Sequence, residues 1–143
     1  NVSGAGTESS NSDSTTTPDQ INSLYELAEK HIYNKKYDKS LKLLKKLTKR
    51  EDLGTRRADI YNLLGFSYRK LENPELYKSF AAYMMALEID PEHAGAHEYL
   101  GELYLMRDQK NQAMRMLSKL ENLVGKNAEE YKDLLQAIEN YQS

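Results

Sequence analysis

Cysteine and tryptophan are absent from this chain of 143 residues, phenylalanine occurs twice and proline three times. Without cysteine there is no disulfide, no thiolate metal site and no thiol nucleophile. No apolar run approaches the roughly 18 residues that a membrane-crossing helix needs. The formal net charge of −2 lacks the basic excess of a protein that meets nucleic acid along its whole surface. Valine is nearly missing and no segment alternates with period two, so a β-sheet is not expected. Also missing are a phosphate-binding glycine loop, paired carboxylates in a plausible cleft and a serine in a triad-like setting, so no enzyme is expected and no cofactor. What is present is 39% hydrophobic and 29% charged residues, enough for one soluble domain with a core.

The opening NVSGAGTESSNSDSTTT is almost wholly small and polar. It cannot bury enough apolar surface to offset its ordering entropy, so residues 1–18 are expected to form a disordered tail ahead of a folded domain at 19–143. Such a tail suits either a stretch behind a removed export signal or a linker, and with no initiator methionine in front of it the true start is expected to have been lost. A periplasmic or exported protein is favoured over a cytoplasmic one.

From Thr17 onward the pattern is helical. Thr17-Pro18-Asp19 reads as a cap followed by proline at the first helical position. Leu24, Leu27, Ala28, His31 and Ile32 then recur at three-four spacing and predict one buried face. A turn at Asn34-Lys35-Lys36 leads to a second helix over about 37–49, with Leu41, Leu44 and Leu47 inward. Asn73-Pro74-Glu75 and Asp90-Pro91-Glu92 read as further caps with proline behind them. Seven helices are predicted.

Self-similarity organises them. Leu24-x-x-Leu27-Ala28-x-x-His31 returns as Tyr61-x-x-Leu64-Gly65-x-x-Tyr68, as His97-x-x-Leu100-Gly101-x-x-Tyr104, and more weakly as Tyr131-x-x-Leu134-Leu135-x-x-Ile138. Their starts lie 37, 36 and 34 residues apart, near the ~34-residue period of helix–turn–helix repeats. A partner helix follows each of the first three copies, carrying Ser40, Leu44 and Leu47, then Ser79, Tyr83 and Ala86, then Ala113, Leu117 and Leu120. The small residues Ala28, Gly65 and Gly101 are expected to let the two helices of a pair approach closely.

On these residues the chain resembles the tetratricopeptide repeat family, over roughly residues 20–142. The second copy (YNLLGFSY, then SFAAYMMALEIDPEH) and the third (HEYLGELY, then NQAMRMLSKL) carry the likeness most fully, whereas the first has Ala28 and Asp52 where the family has Gly and Pro. HEYLGELYL and the EEYKDL ending are also similar to small bacterial repeat proteins. The resemblance implies an all-α, right-handed α-solenoid of three helix–turn–helix repeats, at about 21–54, 58–92 and 94–127, with a C-terminal capping helix at 127–141. It also implies a concave groove lined by the first helix of each repeat. The groove positions of the family fall on Asn22, Tyr25, Glu29, Ile32 and Tyr33 in the first repeat. In the second they fall on Asp59, Asn62, Phe66, Arg69 and Lys70, and in the third on Gly95, Glu98, Glu102, Leu105 and Met106. Tyr25, Tyr33, Phe66, Leu105 and Met106 are expected to form an apolar patch, with Asn62 gripping a peptide backbone. Where some relatives hold a terminal carboxylate with Lys, Asn and Arg, this chain has Tyr25 and Glu29, then Glu98 and Glu102, which would favour a neutral or basic segment.

Two other constellations compete with simpler readings. His93 and His97 stand four apart and could share a metal, yet His97 holds a core position of its repeat and His93 reads as an exposed first-turn residue. His31 likewise reads as core. Lys35, Lys36, Lys39, Lys42, Lys45, Lys46, Lys49 and Arg50 make the second helix basic, a solvated outer face or else a surface for an anionic partner. The expected function is a non-catalytic scaffold that binds a peptide or helix of another protein. A self-associating assembly protein using the same patch as a homodimer is the alternative, and metal binding through His93 and His97 a third reading.

Overall fold

The structure, a computed structural model, describes residues 17–142. Most of the tail expected over 1–18 lies outside the described residues, and its last two members belong to the first helix. Thr17 is the N-cap of α1 (Pro18–Tyr33): its hydroxyl accepts from the Gln20 N–H while the Gln20 side chain accepts from the Thr17 N–H. This reciprocal box, with Pro18 behind it, is the start that the sequence predicts.

Six more helices follow: α2 (Tyr37–Thr48), α3 (Arg56–Lys70), α4 (Leu76–Ile89), α5 (Ala94–Met106), α6 (Lys110–Val124) and α7 (Glu129–Asn140). No strand occurs among the described residues. Helices α1/α2, α3/α4 and α5/α6 pack as hairpins, each hairpin packs on the next, and α7 lies against both α5 and α6. Side by side, α1 meets α3, α3 meets α5 and α5 meets α7, which makes one continuous face from the first helices of the hairpins.

The two later proline signals work differently from the prediction. Helix α4 is capped at Glu75, without a side-chain bond, and Asn73 takes no part. At the next junction Asp90 accepts from the Glu92 N–H, closing an Asx turn across Pro91, and the cap of α5 is His93. The turns of the first and third hairpins are copies of each other. Lys35 and Asp108 both take φ 57°, and in each the following residue donates back to the last turn of the helix (Lys36 to His31 O, Gln109 to Tyr104 O).

Leu44, Ile60 and Leu64 centre one core cluster, and Tyr83, Leu100, Leu103, Leu120 and Leu134 the other. Between the first two hairpins the buried hydroxyls of Ser40 and Ser67 lie 2.8 Å apart. Gly65 serves its own hairpin as expected: a Cβ there would stand 2.7 Å from the Tyr83 ring and 3.1 Å from Ser79 O. Gly101 does not. Its missing Cβ makes room for Leu134 of α7, whose Cδ2 would be 2.6 Å away, so this glycine seats the terminal helix rather than α6. Leu27 is a second departure, 41% exposed where a buried residue was expected. Leu27 and Leu134 hold the same repeat position, and Leu134 is covered because it faces the preceding hairpin. Among the described residues nothing precedes the first.

Candidate functional site

The face of α1, α3 and α5 is crossed by polar links that each span about one repeat. The Arg56 guanidinium donates to Asn22 Oδ1 at 2.9 Å, pairs with Asp59 at 3.2 Å and covers the Tyr25 ring at 4.4 Å. Asp59 in turn lies 2.7 Å from His93 Nε2. His93 Nδ1 accepts the Ala96 N–H, so in this arrangement Nε2 carries the proton that Asp59 receives. That hydrogen bond from His93, ahead of Arg56, holds the Asp59 carboxyl below its usual range against the opposing effect of burial.

Further along the face an aromatic row connects the hairpins. Phe66 packs on Tyr99 with ring centroids 4.8 Å apart, Tyr37 lies 6.3 Å from Phe66, and Tyr83 lies 6.3 Å from Tyr99. Arg69, only 6% exposed, sits 5.2 Å from the Phe66 centroid and 5.7 Å from that of Tyr99, and donates to Glu102 at 3.0 Å. Burial works against its charge, but Tyr83 and Glu102 keep Arg69 firmly protonated. The Lys70 ammonium lies 5.6 Å from the same ring centroid of Phe66. Burial pushes the Tyr99 phenol up to about 12, with Glu98 and Glu102 adding to it.

The residues expected to line a groove therefore divide. Tyr33 (86% exposed), Met106, Glu29 and Lys70 are open to solvent, while Ile32, Phe66 and Glu102 are half-buried. Tyr25, Asn62, Arg69, Glu98 and Leu105 are buried. Tyr25 lies under Arg56, and Leu105 belongs to the second core cluster. Asn62 is no open grip for a peptide: its Oδ1 is enclosed without a hydrogen-bond partner, and its Nδ2 lies 3.0 Å from where a Cβ of Gly95 would be. The expected apolar patch thus reduces to Tyr33, Phe66 and Met106 with Ile32 beside them.

The expected acidic character also changes. Glu98 is 7% exposed, and burial first, then the neighbouring Glu102, Asp133 and Glu130, push its carboxyl up to about 8 against the pull of Arg69. Glu102 is likewise raised by burial and is already paired with Arg69. At neutral pH this part of the face offers one neutral acid and one satisfied ion pair, not two free carboxylates.

His93 and His97 have structural employment. His97 is buried, with Nδ1 2.8 Å from His93 O. His93, expected to be exposed, is 13% exposed at its side chain, and both its ring nitrogens are engaged as described. No group of three or more metal-ligating side chains occurs among the described residues.

Sequence reasoning missed Arg56, Tyr37 and Tyr99, and misjudged His93. A signal for two of them was present. Asn22 and Arg56, like Asp59 and His93, are polar residues 34 apart, and a separation of one repeat places residues next to each other on adjacent hairpins.

Residues 75–138, from the cap of α4 into α7, match the family model described as Tetratricopeptide repeat. No curated protein matches the chain.

Proposed function

Because the chain is a tetratricopeptide repeat protein, we propose that its α1/α3/α5 face takes up a peptide or helical segment of another protein, as a scaffold without chemistry of its own. Repeats of this kind generally mediate protein–protein interaction, and the family is typically non-catalytic. We assign the repeats to about 21–54, 58–92 and 94–127 and the cap to 127–141.

One observation carries the reading. Tyr33 and Met106, at the same position of the first and third repeats, leave large apolar side chains 86% and 46% exposed on either side of the half-buried Phe66. Isolated exposed apolar side chains are ordinary, but these share one face with aromatic and sulfur chemistry suited to a partner's apolar side chains. With Glu98 neutral and Glu102 paired, the segment they fit is neutral rather than strongly basic.

Affinity capture from the native source, comparing wild type with Tyr33→Ala/Met106→Ala, tests this. Both residues are exposed, so the variant keeps its fold. A captured protein lost in the variant supports the face as the site. Capture of the same protein at the same level removes it, and capture of this chain alone points to self-association instead.

A further inference from the structure

At the edge of the molecule, where the turn of the first hairpin meets the end of α3, lies a cleft of about 540 Å³. Lys35, Lys36, Lys39 and Lys70 line it together with Tyr37. All four lysines are exposed, and none forms an ion pair among the described residues. Asp38 and Glu72 also line the cleft, leaving it two positive charges in excess.

The lysines are gathered by the backbone rather than scattered by chance. Lys35 is fixed at φ 57° in the turn, and the Lys36 N–H is tied to His31 O at 2.7 Å. Lys70 comes from the next hairpin, its ammonium 5.6 Å from the Phe66 ring centroid. Its ammonium is held below the ordinary lysine range by burial first, then by Arg69 and Lys35, which places like charges close enough to repel. A bound anion relieves that repulsion.

From the cleft a stripe continues along α2. Lys39, Lys42, Lys46 and Lys49 follow one another at three, four and three residues, all exposed. They share one side of the helix and extend about 15 Å at 1.5 Å per residue. Between residues 35 and 50 there are eight basic residues and one acid, seven positive charges, so the rest of a chain of net charge −2 carries nine negative ones. A solvated helix face usually mixes its signs. This one does not.

We propose that the cleft and the α2 stripe form a second recognition site, for an extended acidic stretch of a partner polypeptide. The area is too long for a single small anion, and a row of charges set one helical turn apart approaches the spacing of alternate residues in an extended chain. The basic groups are lysines, point charges without the bidentate fork that arginine brings to phosphate. Tyr37, the aromatic residue lining the cleft, packs against Phe66 and offers no free platform for bases. The site adjoins the Tyr33–Met106 face at Lys70 and goes beyond the function proposed above.

Fluorescence anisotropy with a fluorescein-labelled deca-glutamate peptide tests it, at about 50 mM salt so that screening is modest. Lys35→Glu/Lys36→Glu/Lys39→Glu is compared with Lys110→Glu/Lys119→Glu/Lys126→Glu, which makes the same change in net charge at other exposed lysines. The cleft variant is expected to bind about tenfold or more weakly and the other to bind as wild type, because local complementarity and not net charge decides. Equal losses in both variants, or no binding by wild type, overturn the proposal. So does tighter binding of single-stranded oligonucleotide or of phosphatidylserine vesicles than of the peptide.

Discussion

Replacing Glu98 with glutamine removes one proton-binding site and nearly nothing else. In the folded protein its carboxyl titrates near 8, against 4.5 for the ordinary group. Between these values the folded chain keeps a proton that the unfolded chain has released, so every rise in pH across this window removes stability. Below about 4.5 both states are protonated and the penalty is absent; above about 8 it is fully developed. A difference of this size corresponds to at most about 5 kcal/mol at about 1.4 kcal/mol per pH unit. Residual solvent contact screens it, and about 2 kcal/mol is the working figure. Glu98→Gln is therefore expected to match wild type near pH 5 and to exceed it by about 2 kcal/mol at pH 8.5, or several degrees in Tm for a domain of this size. Urea unfolding followed by circular dichroism at pH 5, 6.5 and 8.5 measures this. Other titrating groups occur in both proteins, so they largely cancel in the difference. A gap between variant and wild type that stays constant with pH, or closes as pH rises, refutes the burial of Glu98 and its acidic surroundings.

Further outcomes follow from the packing. Gly101→Ala gains about 1 kcal/mol of helix propensity but drives a methyl into Leu134, so a net loss of about 1 kcal/mol is expected. Leu134→Ala loses about 3 kcal/mol, and the double variant should lose less than the two single losses added, a coupling that a thermal-denaturation cycle reads. His93→Ala removes a cap and the proton given to Asp59, costing about 1–2 kcal/mol; His93→Asn, which supplies a capping oxygen in place of the ring nitrogen, should recover about half in urea titrations. Glu102→Leu leaves the buried Arg69 without its carboxylate and should cost about 2–3 kcal/mol, whereas adding Arg69→Met to it should restore part of the loss.

Much of the fold was legible because each copy repeats a three-four pattern of large and small residues, and such a pattern can be satisfied only by helices stacked in pairs. Thr17, Pro18, Leu44, Leu64, Tyr83 and Leu120 all stand where that pattern puts them. What the pattern does not carry is which neighbour a residue meets. Gly101 looks the same as Gly65 in sequence, yet Gly65 admits Tyr83 of its own hairpin and Gly101 admits Leu134 of the next element. The candidate face was legible as a set of positions and illegible in its exposure. Whether Glu102 is a free acid depends on Arg69, a repeat away in the chain, Glu98 is set by its burial and by acids on α5 and α7, and Tyr25 is covered by Arg56, from the start of the following hairpin. Arg56 belongs to no repeat motif, and its separation of 34 residues from Asn22 was the one signal for it.

The cross-links at one-repeat spacing have a mechanical corollary. Asn22 to Arg56, Asp59 to His93, Arg69 to Glu102 and Tyr141 to Asp108 all join side chains 33 or 34 positions apart. They behave like the teeth of a zip: sliding one hairpin against its neighbour by a single residue would disengage every tooth at that seam together. Neighbouring hairpins are thereby either meshed or parted, with no stable halfway setting, and the spacing between anything carried on successive hairpins is held to one ruled interval.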